Sequence, residues 1–397
     1  MMVFPEEKYY RLNYIFLASI GLWPYHNSKI NQIQVALSLL IYIIFVISQL
    51  IQLFVTKYTL DLLLEILSFD FLIMAWASKY ISFYAVMKNI KRFQKHVRDN
   101  WSILTDDREI DIMRKHAENG KRYTIVIATI IYCGILSYIS LQYTSGLLDI
   151  IVPLNESRPR KLLIQAEYLV DRQKYFHVLA MHINLVLFLS ATTGVATESF
   201  SLINAVHVFG MYKIASYRIE HMINKDVLRV CIAQRYTILH HRITAAVDVH
   251  RRALELSELL KESFGRSYLI LITIIICSGS INLFHFFRII TMKQKILEIG
   301  ISLLYIACHF LFLILGNFFG QEFINSDSYF HQTICNTKWY NTPLKVQKLI
   351  LFLLQKTTKS YKLDAGGMFS PCFEGLITVR EHLLVEIITI SISCLNN

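Results

Sequence analysis

Five stretches of this chain run for about 20 residues or more without a formal charge: residues 35–55, 123–148, 175–197, 267–287 and 299–321. None shows the apolar–polar alternation of a half-buried strand, and each is long enough as a helix to cross a hydrocarbon core of about 30 Å. In lipid every backbone polar group must be satisfied within the protein, so runs of this kind predict membrane-spanning helices. Two further crossings carry weaker patterns. Residues 60–87 are apolar overall but include Asp61, Glu65, Asp70 and Lys79. The expectation is that Asp61, Glu65 and Lys79 lie near the ends and reach water, whereas Asp70 needs a partner or a wet cavity. Beyond Pro343 two apolar stretches flank the polar segment 356–367, which reads as one crossing broken into two halves. The pattern therefore predicts an all-α, polytopic membrane protein forming a single transmembrane domain over residues 1–397. Its seven expected spans are 35–55, 60–87, 123–148, 173–205, 267–287, 299–323 and 343–395.

Charge settles the expected orientation. Lys and Arg gather in 88–122 and 213–266, about ten in each, against about eight in the three alternate loops together. The positive-inside rule puts the two rich segments, and with seven crossings the N-terminus, in the cytoplasm. The net charge of +11 is then explained by anionic inner-leaflet lipid, and no nucleic-acid partner is implied. The first short apolar stretch, 14–23, ends in Gly21-Leu22-Trp23-Pro24 without a small-residue cleavage pattern, so residues 35–55 are expected to act as an uncleaved anchor. The stretch 240–264 repeats apolar residues at helical spacing, and no Pro or paired Gly separates it from Ser267. It is expected to extend the fifth span into the cytoplasm.

Hydrophobic residues make up 54% of the chain, charged residues 17%, and mean hydropathy is +0.42, which excludes an ordinary soluble domain. No phosphate loop, His-Glu-x-x-His, Cys-x-x-Cys or nucleophile elbow is present, so no enzymatic activity, cofactor or metal is expected. The adjacent His240 and His241 point to different helix faces and do not make a ligand pair. Two glycosylation sequons, at Asn100 and Asn155, fall in successive loops on opposite faces of the membrane, and Asn155 is the expected acceptor. Aromatic residues inside the spans (Phe69, Tyr138, Phe176, Phe188, Tyr305) stand among scattered polar groups such as Ser137, Gln142, His177 and Ser302. That mixture suits a cavity for a small, mostly apolar molecule.

The C-terminal third carries the most specific pattern. It reads Trp339-Tyr340, Pro343, Gln347-Lys348, the apolar run 351–354, Lys356-Thr357-Thr358-Lys359, then Ala365-Gly366-Gly367-Met368-Phe369. This succession resembles the signature of the insect odorant receptor family, as do Gly21-Leu22-Trp23-Pro24 and the length. The resemblance implies a tuning subunit of a ligand-gated, non-selective cation channel that assembles as a tetramer with the odorant receptor co-receptor. It implies a small volatile, apolar ligand and the plasma membrane of an olfactory neuron dendrite. It also implies an odorant site in the outer half of the second, third, fourth and sixth crossings, at Phe69, Ile73, Ser137, Tyr138, Leu141, Phe176, Met181 and Tyr305. Trp339, Tyr340 and Pro343 would belong to the anchor between subunits, and Gly366, Gly367 and Phe369 to the start of the pore helix. The sequence departs from the family after Glu374, where Arg380-Glu381-His382 and Glu386 precede an apolar tail, and Pro371 falls where the pore helix should form. A gustatory receptor shares the layout and is the nearest alternative. A G-protein-coupled receptor is the more distant one, opposed by the inside N-terminus and the absence of Asp-Arg-Tyr and Asn-Pro-x-x-Tyr elements.

Overall fold

The computed structural model describes residues 5–25, 29–57, 59–144, 149, 151, 162, 164–224, 227, 229–291, 296–367, 369–375 and 377. Among these the chain is helical: α1 (Pro5–Ser19), α2 (Lys29–Val55), α3 (Leu60–Ala85), α4 (Met87–Ser102), α5 (Asp107–Gln142), α6 (Phe176–Glu220), α7 (Ile232–Thr291), α8 (Ile296–Asn336), a 3-10 turn (Trp339–Asn341) and α9 (Leu344–Thr357). Five are long and apolar enough to cross a membrane: α2, α5, α6 and most of α7 and α8. The protein is an all-α, multi-pass membrane protein. Asn155 and the tail beyond residue 377 lie outside the described residues.

α3 is not among these five and carries four ionisable residues, and the structure revises how they are accommodated. Lys79 is not near water: it is 4% exposed, and its Nζ lies 2.8 Å from Glu198 Oε1 on α6. Asp61 pairs with Arg288 on α7. Charges inside a crossing persist when they face a partner within the bundle, and these two do. Ser68 Oγ donates to Asn282 Oδ1 at 2.6 Å, which adds a polar tie between α3 and α7.

The basic segment 88–122, which reads as a loop, is two helices. Asp106 terminates the turn between them and caps α5, its Oδ1 accepting from the amides of Arg108 at 2.7 Å and Glu109 at 3.3 Å. Such a cap satisfies amides that would otherwise be orphaned at the helix start. α7 runs unbroken from Ile232 to Thr291, as the missing stop signal predicts. With α5, α6 and α8 also extending past the charge-free runs, the half of the molecule that carries the basic segments 88–122 and 213–266, called the inner half below, acquires a packed core of its own. Met113, Met211, Tyr212, Ile214, Val249, Ala253, Phe323 and Phe330 are buried in it. Arg218 locks this core by a fork: Nε and Nη2 donate to Glu109 Oε1 and Oε2 at 2.6 and 2.7 Å, and Nη1 donates to Ala245 O at 3.0 Å. Three helices, α5, α6 and α7, meet at that one guanidinium.

The described residues after α8 are held by a series of local and long-range bonds. Trp339 packs against the inner core, while Tyr340 stays 62% exposed. Pro343 opens α9, and Gln347 Nε2 donates to the carbonyls of Tyr340 and Thr342 at 2.9 and 2.8 Å. Beyond α9, Ala365 and Phe369 bond to each other through their backbones, and Gly366 and Gly367 between them have φ of 67° and 78°. Left-handed backbone of this kind is open to glycine without steric cost, and a Cβ at Gly366 would also lie 2.8 Å from Leu269 Cδ2. Asn317 of α8, fully buried, accepts the amide of Cys372 at 3.0 Å. Pro371 precedes the helical residues that begin at Phe373, so its missing N–H removes no helix bond.

Candidate functional site

The half of the bundle remote from the basic segments 88–122 and 213–266, called the outer half below, holds a separate apolar cluster. Tyr42 and Phe45 come from α2, Phe69 and Ile73 from α3, and Ile183 and Val186 from α6; all are buried, and Ile164 of the segment before α6 joins them. Tyr138 of α5 and Tyr305 of α8 pack against this set. Phe69 and Tyr305 meet edge to face with ring centroids 5.3 Å apart. Such an arrangement brings the positive ring edge onto the negative face of its neighbour and is worth about 0.5–1.5 kcal/mol beyond area burial.

Polar groups sit just outward of these rings. Gln49, Gln142 and Ser302 are buried, and each lies one helical turn nearer the outer end of its helix than Phe45, Tyr138 and Tyr305 respectively. Both side-chain polar atoms of Gln49 and Gln142, Ser302 Oγ and Tyr138 Oη have no hydrogen-bond partner among the described residues. A buried hydroxyl or amide left unpaired costs about 1–3 kcal/mol, so the site is primed to reward a molecule that brings a donor or acceptor.

The segment before α6 covers this end. Its Glu167 amide donates to Ser48 O at 2.9 Å, and Tyr168 Oη lies 2.8 Å from His182 Nδ1. Arg172 donates to Glu167 Oε2 at 2.7 Å and also to Gln52 Oε1. Burial raises the Tyr168 pKa above its ordinary value, partly offset by a hydrogen bond with Ser48, so the phenol stays protonated and available as a donor.

Of the residues the resemblance implicates, Phe69, Ile73, Tyr138 and Tyr305 come together in the cluster. Phe176 is buried two turns outward of Ile183, its ring against Tyr143 with centroids 6.2 Å apart. Ser137, Leu141 and Met181 are not brought to the cluster. Leu141 and Met181 are 42% and 65% exposed on the outer face of the bundle, and the exposed Ser137 Oγ bonds back to Cys133 O at 2.9 Å. Sequence reasoning missed Tyr42, Phe45 and Gln49. Their signal was present: Ser38, Tyr42, Phe45, Gln49 and Gln52 recur every three to four residues in a run that otherwise has little polarity. Among the described residues no group of three or more His, Cys, Asp or Glu is placed to hold a metal ion.

Comparison with solved structures gives the fold an independent reading. The insect olfactory receptor OR5 from Machilis hrabei superposes with a TM-score of 0.72 at 13% identity, covering 97% of each chain. The same receptor in complex with eugenol gives 0.74 at 12% identity, over 96% of this chain and 97% of that one. No curated protein matches by sequence. The family model for the 7tm Odorant receptor matches residues 59–380, most of the chain. This protein therefore belongs to the seven-transmembrane odorant receptor family.

Proposed function

We propose that the chain is a tuning subunit that binds odorant and gates a non-selective cation channel together with the odorant receptor co-receptor. The carrying observation is the outer aromatic cluster roofed by buried, unpartnered polar groups. Apolar walls supply affinity at about 25 cal/mol per Å² of ligand surface buried, and the unpartnered groups supply selectivity. Phe69, Ile73, Tyr138 and Tyr305 form the wall, with Phe176 at its outer side; Ser137, Leu141 and Met181 are left out because they face away. The complex of a receptor of the same fold with eugenol supports a ligand of that size class, small and mostly apolar. Gating follows from population shift: a ligand that binds the open arrangement more tightly moves the equilibrium by that difference.

Orientation is part of the proposal. The basic excess of 88–122 and 213–266 supports an N-terminus in the cytoplasm of an olfactory neuron dendrite, with the outer cluster facing the exterior. Trp339, Tyr340 and Pro343 would meet a neighbouring subunit, which the exposure of Tyr340 supports. The pore would follow Gly366, Gly367 and Phe369. The test is to record odorant-evoked current from cells expressing this chain with and without co-receptor. Current that requires both chains is expected; current from this chain alone favours the gustatory type of channel instead. Glycosylation mapping adds the topology. Loss of glycan with Asn155→Gln alone is expected, and loss with Asn100→Gln alone would invert the chain and sink the proposal.

A further inference from the structure

Near the inner end of α8 a thiol and an imidazole stand one helical turn apart. Cys335 is exposed, and its Sγ lies 3.6 Å from Nε2 of His331, within hydrogen-bond reach for sulfur. On the other side of the ring, Nδ1 of His331 lies 2.8 Å from Oγ1 of Thr357, the buried last residue of α9. Thr357 has a single hydroxyl proton, and it is donated to the carbonyls of Leu353 and Leu354 at 3.0 and 3.3 Å. The hydroxyl therefore meets the imidazole as an acceptor. That puts the ring proton on Nδ1 and turns the lone pair of Nε2 towards the thiol. A nucleophile, a base beside it and a third group that orients the base make up an activated side chain.

Position along the helix identifies the reagent that can reach this thiol. Cys335 is 39 residues from Ile296, the other end of α8, which at 1.5 Å per residue is about 58 Å. Even tilted by about 40° the helix covers about 44 Å along the membrane normal, more than a hydrocarbon core of about 30 Å. Cys335 thus stands in water on the side of the basic segments, beyond the reach of acyl chains. Lys338, three positions on and exposed, adds positive charge nearby and favours an anionic reagent. The helix itself gives no help, because its C-terminal end disfavours a thiolate. Activation rests on His331.

We propose that Cys335 is a modification site for a soluble, anionic disulfide of the glutathione class, with His331 as its base and Thr357 as the positioning residue. The thiol proton passes to Nε2 of His331 as sulfur attacks one sulfur of glutathione disulfide. An S–S bond to Cys335 forms while the glutathione S–S bond breaks, and the leaving glutathione thiolate takes the proton back from the imidazolium. Cys335 is oxidised and one glutathione is reduced, and a second thiol reverses the step. An ordinary thiol with a pKa of about 8.5 is only about 3% ionised at pH 7, so a base can raise the reacting fraction by up to about thirtyfold.

The experiment is a time course of the full-length protein, purified with its co-receptor, in glutathione disulfide at neutral pH. Alkylation and peptide mass mapping then read the mixed disulfide at each cysteine. Cys335 is expected to be modified and to be released by excess thiol. His331→Gln should slow it about three- to thirtyfold, and Thr357→Val should slow it in the same direction while Thr357→Ser restores the rate. Cys231, exposed just before α7 with no partner for its thiol among the described residues, is the internal control and should react equally in all four proteins. The wild-type rate at Cys335 should also rise less steeply between pH 6 and 8 than the rate at Cys231, a readout that needs no variant to fold. An unmodified Cys335, an unchanged rate in His331→Gln, parallel pH profiles for the two cysteines, or an acyl group on Cys335 in the purified protein would each overturn the proposal.

Discussion

Tyr138→Phe tests the outer site at a single oxygen. The ring stays, so packing against Phe69, Ile73 and Tyr305 stays, and only a buried hydroxyl without a partner among the described residues is removed. Two effects of opposite sign follow. Without ligand the hydroxyl costs about 1–3 kcal/mol, so the variant should be more thermostable than wild type when melted as a fluorescent fusion in detergent. With an odorant that accepts a hydrogen bond, the variant loses an interaction worth about 0.5–1.5 kcal/mol. Since 1.4 kcal/mol is tenfold, the half-maximal concentration should rise about two- to tenfold. An odorant of the same size without an acceptor should respond as before or at slightly lower concentration. The assay is a paired dose-response series on cells expressing this chain with co-receptor, using a ketone or alcohol against its hydrocarbon analogue. An equal rightward shift for both members of the pair would mean that Tyr138 acts through packing. No shift for either would remove it from the site.

Three further outcomes are expected elsewhere in the fold. Glu109→Ala leaves Arg218 largely buried without its carboxylate and should cost about 3 kcal/mol, read as a lower melting temperature. Arg218→Lys should not spare the protein, because a point charge cannot make three directed bonds; a wild-type melting temperature in either variant would show that the fork is idle. Gly320→Ala would drive a Cβ into Pro371 O, so it should abolish odorant current, whereas Gly134→Ala, with nothing within 4 Å, should melt at or slightly above the wild-type temperature and keep its current. Equal behaviour of the two variants would refute the packing of the 364–375 segment on α8. Asp327 accepts from the Tyr361 amide at 2.7 Å and pairs with His250 Nε2 at 3.0 Å, so Asp327→Ala should loosen the segment after α9 and speed tryptic cleavage at Lys359 and Lys362. Cleavage at the wild-type rate would count against that anchoring role.

Much of this architecture is written in the pattern of apolar residues, and the places where it is not depend either on distant partners or on which side of a helix faces inward. Each of the five helices long and apolar enough to cross a membrane carries most of one charge-free run, because hydropathy alone decides them. α3 was legible as a weaker span, but the partners of its Asp61 and Lys79 were not, since Arg288 and Glu198 are more than a hundred positions away and a local pattern has no access to a tertiary ion pair. Inner helix extensions are hidden likewise, since polar surface residues around 88–122 mask the buried face that Glu109, Met113 and Ala117 present to α6. At the site the difficulty is facing. Tyr138 turns inward while Ser137 and Leu141, one and three positions away, turn outward, and a helix that is apolar on every side gives no moment from which to read that choice. In α2 the facing was readable, because Gln49 and Gln52 are tolerable only on the buried side.

The two ends of the molecule are joined by α8. Tyr305 touches Phe69 near its outer end, and the next turn is tied down by His309, whose Nε2 lies 2.9 Å from Ser278 Oγ on α7. Ser278 in turn leads through Asn282 to Ser68 on α3, so the helices that carry the two rings share one polar tie. Twelve residues from Tyr305 along α8, about 18 Å at the helical rise, Asn317 holds the amide of Cys372, with Gly320 under Pro371 a turn beyond. A ligand that parts Phe69 from Tyr305 therefore pushes on a helix whose inner half carries the 364–375 segment. That is mechanical continuity, and a bistable element is still needed for it to become gating. The two variants that bracket it, Tyr138→Phe beside the outer rings and Gly320→Ala under the inner staple, separate the two functions. The first should change which odorants are bound while currents at saturation persist, and the second should remove the current while ligand binding to the solubilised protein persists.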